Sequence, residues 1–190
     1  MKHTTWARVL GGAAAATALT IAAPSAARAQ KVLDAVHVTA PVTRADTLEQ
    51  RAQALYASPS KWRQAAYLHQ LAADARDAKD PRGVEDLILA ANLFYHIGDL
   101  SAARNTMSRA GARAEARGDL VRAAIAYVDA GYVALEQHNE DKARALAKKV
   151  GDLADSPLIG DDQRATIRGR MGYAELATLV KEKKAAKSAT

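Results

Sequence analysis

The chain has 190 residues, a formal net charge of +6, 49% hydrophobic residues and no cysteine. Without the first 29 residues, which carry three basic side chains and no acid, the net charge falls to +3, with 24 basic against 21 acidic residues. Nucleic-acid binding depends on many lysines and arginines that neutralise phosphates, so this balance argues against it. The lack of cysteine excludes disulfides and a lipid-modified cysteine, and a chain of this length can bury a core without them.

Residues 1–29 have the pattern of a secretory signal peptide. A basic start precedes an uncharged apolar run at 9–23, and Ala27-Arg28-Ala29 is the small-x-small site that a signal peptidase recognises. The run is shorter than the roughly 20 residues that a membrane-spanning helix needs, so a retained anchor is the less favoured alternative. We predict cleavage before Gln30, Sec-type export to a bacterial periplasm or to the exterior, and no stable membrane insertion afterwards.

The remaining sequence predicts an all-α domain at 43–184, between a flexible lead-in at 30–42 and a basic disordered tail at 185–190. Alanine dominates from Thr43 onwards, and turn-forming residues recur at short intervals. Short links favour antiparallel neighbours. These breaks predict seven helices, at 43–57, 60–79, 83–97, 100–117, 120–137, 140–154 and 161–184, with Gly169 and Gly172 inside the last one.

Residues 89–110 resemble a tetratricopeptide repeat. The matching residues are small Ala91, aromatic Phe94, the turn Gly98-Asp99-Leu100, small Ala103, bulky Met107 and small Ala110. Such alternation of small and large residues suits a close helix crossing. The pattern recurs about 40 residues downstream, with Gly131 and Ala143 in place of Ala91 and Ala103, and again 38–39 residues upstream. This spacing exceeds the family's usual period of about 34.

The resemblance implies a fold of antiparallel helix hairpins stacked as a right-handed superhelix. It comprises about three hairpins, at 43–154, and the helix at 161–184 as a C-terminal cap. In this family, ligands lie on the concave face formed by the first helix of each hairpin. Carried onto this sequence, that face implies a peptide- or protein-binding site at Gln53, Tyr56, Ile88, Asn92, Tyr95, His96, Val128, Tyr132, Leu135 and Glu136.

The tyrosines of this face have a second interpretation. Tyr95, Tyr132 and Leu135 could instead pack against neighbouring helices, since tyrosine at helical spacing is often a core residue. One subtype of the family clamps a terminal carboxylate with paired Asn and Lys residues. Asn92 matches that pattern, but the accompanying lysines are missing, so this specialised activity is not expected.

Catalytic motifs are absent from the sequence. The histidines after the signal peptide, at positions 37, 69, 96 and 138, have no second histidine or carboxylate at the spacing of a zinc motif. Nucleophile-elbow and phosphate-binding glycine patterns are also missing. We therefore predict a non-enzymatic adaptor without cofactor or metal, whose partner is an unidentified protein or peptide. Two alternatives stay open: an enzyme or small-ligand carrier with a pocket near His96 or His69, and a self-associating structural protein.

Overall fold

The computed structural model describes residues 42–188, with side chains from 42 to 182. The predicted signal peptide and almost all of the predicted lead-in lie outside the described residues. Within the described part the chain is all-helical and has no strand. A 3₁₀ turn at Pro59–Lys61 precedes the second α-helix. The eight α-helices are α1 Arg44–Gln53, α2 Trp62–Ala75, α3 Arg82–His96, α4 Leu100–Ala116, α5 Leu120–Glu136, α6 Glu140–Ala154, α7 Asp161–Arg168 and α8 Tyr173–Ser188.

The same turn joins three successive pairs of helices at 20-residue intervals. Gly98, Gly118 and His138 each adopt a left-handed backbone, with φ of 77°, 79° and 55°. In every case the next residue, an Asp or Asn, closes the preceding helix with its backbone N–H. The side chain of that residue then accepts the N–H three positions later and caps the following helix. The short turns make consecutive helices antiparallel.

The third turn has a residue that is poorly suited to its backbone. His138 is exposed and adopts φ +55°, a conformation that costs a non-glycine residue roughly 1 kcal/mol. We expect His138→Gly to raise the free energy of unfolding by about 0.5 kcal/mol, since glycine's greater freedom in the unfolded chain offsets part of the relief. Urea denaturation measures this change. Gly118→Ala, in the equivalent turn, should lower stability, and a His138→Gly protein less stable than wild type would contradict the interpretation.

Helices two apart along the chain lie side by side and run parallel. Gln70 donates to Thr106 at 2.8 Å, and Arg109 donates to Asp74 at 2.6 Å, so the contacts between α2 and α4 follow the same order in both helices. Bonds from Arg122 to Glu85 and from Tyr95 to Glu136 join α3 to α5 in the same way. The odd-numbered helices therefore form one row, which we call the first-helix row. The even-numbered helices form the other row.

Small residues allow these rows to approach closely. A Cβ atom on Gly111 of α4 would lie 2.7 Å from the ring of Tyr127 on α5, and one on Gly131 would lie 2.7 Å from Leu176 on α8. Alanine is the commonest buried residue, and Phe94 and Ile167 are among the largest fully buried side chains. The pairing of small with large residues thus occurs at the helix crossings. None of the helices in residues 42–188 is long and apolar enough to cross a membrane.

The prediction of one helix at 161–184 is wrong. Gly169 forms the C-terminal cap of α7, and Gly172 has φ +82°, so the two glycines end one helix and begin another. A Cβ atom on Gly172 would also lie 2.7 Å from Tyr132 Cδ2. The chain therefore turns where both backbone and packing require glycine, and α7 and α8 pack as a short pair against α5 and α6. Helix α8 also runs to Ser188, into the predicted tail.

Candidate functional site

The predicted binding residues lie mainly on α3 and α5, in the first-helix row. Gln53 ends α1, and Tyr56 lies in the turn after it, because α1 stops before the predicted position 57. Gln53, Asn92, His96 and Glu136 are exposed; Tyr56, Ile88, Tyr95, Tyr132 and Leu135 are partly buried. Val128 is 0% exposed and belongs to the core. It offers no surface to a partner.

The face of α5 that meets solvent is offset from the predicted one. Apolar residues surround most of this helix, so periodicity alone does not identify its exposed stripe. The side chains that remain partly or fully exposed along this stripe recur at intervals of three and four residues, as one helix face requires. They are Val121, Ile125, Asp129, Tyr132 and Glu136. The apolar residues that sequence reasoning missed here are Val121 and Ile125.

Aromatic rings contact one another between the start of α2 and the end of α3, and a hydrogen bond extends this surface to the end of α5. The ring of Trp62 meets that of His96 edge-on at 5.9 Å, and His96 in turn lies 6.2 Å from Tyr95. The Tyr95 hydroxyl donates to Glu136 Oε1 at 2.8 Å, which connects α3 to α5. We call the surface formed by Trp62, Asn92, Tyr95, His96, Tyr132 and Glu136 the aromatic strip. Trp62 is its one member that the sequence analysis did not place on the binding face.

Tyr95 and Tyr132, the two central tyrosines of the strip, each pack against the core and also keep some exposed surface. Tyr95 packs against a group of buried residues that includes Phe94, yet it is not fully enclosed. Tyr132 rests against the turn at Gly172 and is also partly buried. Burial raises the pKa of Tyr95 and of Tyr132, so both are neutral phenols at neutral pH. Each ring is anchored by the fold and keeps part of its surface accessible.

A chain of hydrogen bonds runs through the interior between α1, α2 and α3. The Tyr56 hydroxyl lies 2.5 Å from His69 Nε2, and His69 Nδ1 lies 2.9 Å from Asp86 Oδ1. Arg76 Nε donates to the other Asp86 oxygen at 2.6 Å. His69 and Asp86 are 0% and 2% exposed. We call these four residues the polar cluster.

Arg76 connects the polar cluster to the surface of α1. Its guanidinium also binds Asp46, at 3.0 Å, and Glu49. Hydrogen bonds from Thr43, followed by one from Arg76, lower the pKa of Asp46 to about 2, so this carboxylate stays ionised in all but strong acid. One buried cation is thus surrounded by carboxylates from two helices, α1 and α3, which is the arrangement that an interior charge needs.

The order of hydroxyl, imidazole and carboxylate in the polar cluster resembles that of a hydrolytic triad. However, burial raises the pKa of Tyr56 to about 12, with smaller contributions from the carboxylates of Asp86 and Glu49. An activated nucleophile needs a lowered pKa, so the change at Tyr56 is in the opposite direction. A neutral phenol donates to His69 Nε2, and the proton on Nδ1 is then donated to Asp86. The cluster therefore acts as a hydrogen-bonded brace between three helices.

A shallow, open cavity of about 760 Å³ lies elsewhere, beside α7. It is lined by Asp155, Asp161, Arg164, Ala165, Arg168 and Gly169. This position is remote in the chain from His69 and His96, where the enzymatic alternative expects a pocket. In the part of the chain that the structure describes, no three His, Asp or Glu side chains are grouped as a metal site.

Comparisons with protein-family models, curated proteins and solved structures find no match for this chain. Over the described residues, the structure defines the class as an all-helical protein in which the successive helices from α1 to α6 pack on one another and alternate helices run parallel. Its aromatic strip lies mainly on α3 and α5 of the first-helix row, and Trp62 joins it from the start of α2.

Proposed function

We propose that this chain is an exported, non-enzymatic interaction protein that binds a peptide or protein through its first-helix row. In this proposal the hairpins stack as a tetratricopeptide-like right-handed superhelix, with the first-helix row on the concave side. The observation that carries the proposal is the aromatic strip, in which rings and polar side chains of the first helices α3 and α5, together with Trp62 of α2, form one surface.

Three features support the repeat arrangement. The same turn recurs every 20 residues, at Gly98, Gly118 and His138. Alternate helices are bonded in parallel register. Small residues lie where helices cross, as Gly111 does against Tyr127. Together they favour a stack of similar units over a bundle of unrelated helices.

The chemistry of the aromatic strip supports binding. Tyr and Trp supply a large contact area with few rotatable bonds, and both combine an apolar ring with a polar atom. Asn92 and His96 add exposed groups that can bond to a peptide backbone. The exposed positions of α4, in the other row, differ in character, since they are Ser101, Asn105, Arg109, Ala112 and Ala116. Helix α4 therefore exposes no aromatic side chain, although α2 of the same row exposes Tyr67.

Export is the part of the proposal that rests on sequence, through the signal-peptide pattern at 1–29. Processing at the predicted site would release a mature chain beginning at Gln30. The intact mass of the protein recovered from the periplasm or the medium tests this directly. A mass corresponding to the full 190 residues would contradict cleavage.

Photo-crosslinking at matched positions tests the binding surface. Asn92 on α3 and Asn105 on α4 are both exposed asparagines, but they lie in different rows. We expect a benzoylphenylalanine at position 92, in cells that produce the protein naturally, to give a discrete adduct with another protein after illumination. The same group at position 105 should give none. Equal adducts at both positions, or no adduct at 92, would overturn the proposal, and an adduct of twice the chain's own mass would favour the self-association alternative.

A further inference from the structure

The aromatic strip ends at a place where negative charge accumulates. Tyr95 and His96 lie in the last turn of α3, and Glu136 is the last residue of α5. The carbonyl ends of helices carry a partial negative charge that favours cations. Two such ends meet here, because the hydrogen bond from Tyr95 to Glu136 joins them at 2.8 Å.

Two carboxylates add full charges at the same place. On this row, Glu85 pairs with Arg122 and Asp129 pairs with Arg170, whereas the ion pairs among the described residues do not include Glu136 or Glu175. Both of these glutamates are exposed. Burial is the largest cause of the raised pKa of Tyr132, and the charges of Glu136 and Glu175 raise it further. Both carboxylates therefore lie within electrostatic reach of the Tyr132 hydroxyl. Neither glutamate beside the ring thus forms an ion pair with a lysine or arginine among the described residues.

The tyrosine rings are held in place around these charges. Tyr132 lies one helical turn before Glu136 on the same face of α5, and Gly172 supports its ring from the side of the C-terminal helices. Glu175 follows Gly172 in the first turn of α8. The Tyr95 hydroxyl donates to Glu136 Oε1, which constrains the orientation of this carboxylate.

We propose that Tyr95, Tyr132, Glu136 and Glu175 form a binding site for an arginine side chain of the partner. This inference rests on the proposed function and names the chemistry of the partner at one position. A guanidinium is planar, stacks on aromatic rings and bonds to carboxylates through several N–H groups. Arginine therefore matches the rings, the two carboxylates and the helix ends together, whereas a neutral or acidic side chain matches only part of them.

NMR titration with N-acetyl-arginine-amide tests the site. We expect roughly millimolar binding, as for a ligand of this size, with shifts concentrated at Tyr95, Tyr132 and Glu136. N-acetyl-citrulline-amide has almost the same shape without the charge and should not bind measurably. Shifts that spread over the surface, or equal binding of citrulline, would overturn the proposal.

Matched variants separate the site from general charge effects. Glu136→Gln and Glu175→Gln should each weaken arginine binding about fivefold, the effect of one exposed ion pair. Glu182→Gln, two turns further along α8, changes the net charge equally and should have no effect. Because Glu175 and Glu182 are both exposed, neither variant should disturb folding. Equal weakening by all three variants would contradict a defined site.

The two proposals can fail separately. If the crosslinker at Asn92 captures a partner but arginine-amide does not bind, the arginine site is wrong and the adaptor role stands. If arginine-amide binds as predicted but Asn92 yields no adduct, the adaptor role is wrong, and the site would be one for a free cationic ligand.

Discussion

Asp86→Ala is expected to lower the free energy of unfolding by at least about 2 kcal/mol, because two buried donors, His69 Nδ1–H and Arg76 Nε–H, lose their acceptor at about 1–3 kcal/mol each. The Arg76 side chain is only 1% exposed and would lose its interior carboxylate. His69 Nδ1 would lose its acceptor in a fully buried position. Urea denaturation followed by circular dichroism measures the change.

Two variants serve as controls for Asp86→Ala. Asp74→Ala removes an exposed carboxylate of α2 that pairs with Arg109 of α4. This change should cost no more than about 1 kcal/mol. Replacing Arg76 and Asp86 together by apolar residues of similar volume should cost less than the sum of the single changes, because neither buried charge is left without the other, and Asp46 and Glu49, which lose Arg76, are partly exposed to solvent. An Asp86→Ala protein as stable as Asp74→Ala would show that the polar cluster is not a structural brace.

Gly111→Ala is expected to lower the free energy of unfolding by about 1–3 kcal/mol through overpacking. The new methyl carbon would lie 2.7–2.9 Å from Cε1, Cδ1 and Cζ of Tyr127. That ring cannot move aside easily, because its hydroxyl donates to Glu115 at 3.0 Å and Lys149 lies over its face at 4.4 Å. Thermal or urea unfolding of the two proteins measures the difference.

The sign of the effect distinguishes packing from helix propensity. Alanine stabilises the interior of a helix by about 1 kcal/mol relative to glycine. At Gly151 of α6 a Cβ atom would meet nothing within 4 Å, so Gly151→Ala should raise stability. Opposite signs at positions 111 and 151 are the expected result. Stabilisation at both would mean that the close contact of α4 with α5 does not depend on glycine.

The helices of the central region could be predicted from sequence because their limits are local. Gly98, Gly118, Asp99 and Asp119 set both the end of one helix and the start of the next within a few residues. The turn at His138 was also predicted, although a histidine occupies its left-handed position. Local backbone chemistry therefore determined the ends of α3, α4, α5 and α6 closely.

The contacts between distant residues could not be predicted in this way. Tyr56, His69 and Asp86 are separated by 13 and 17 residues, and nothing in their spacing indicates that their side chains meet. The exposed face of α5 also depends on which neighbours cover the helix, and the alternation of apolar residues does not reveal them. The break at Gly172 escaped prediction because glycine also occurs within closely packed helices.

The binding role of the aromatic strip is tested most directly by removing its two central rings while the crosslinker stays at Asn92. A variant that carries Tyr95→Ala and Tyr132→Ala should remain helical and lose the Asn92 adduct. An adduct of undiminished yield in such a folded variant would contradict the role of the strip, and loss of helical structure would show that both rings serve the core instead.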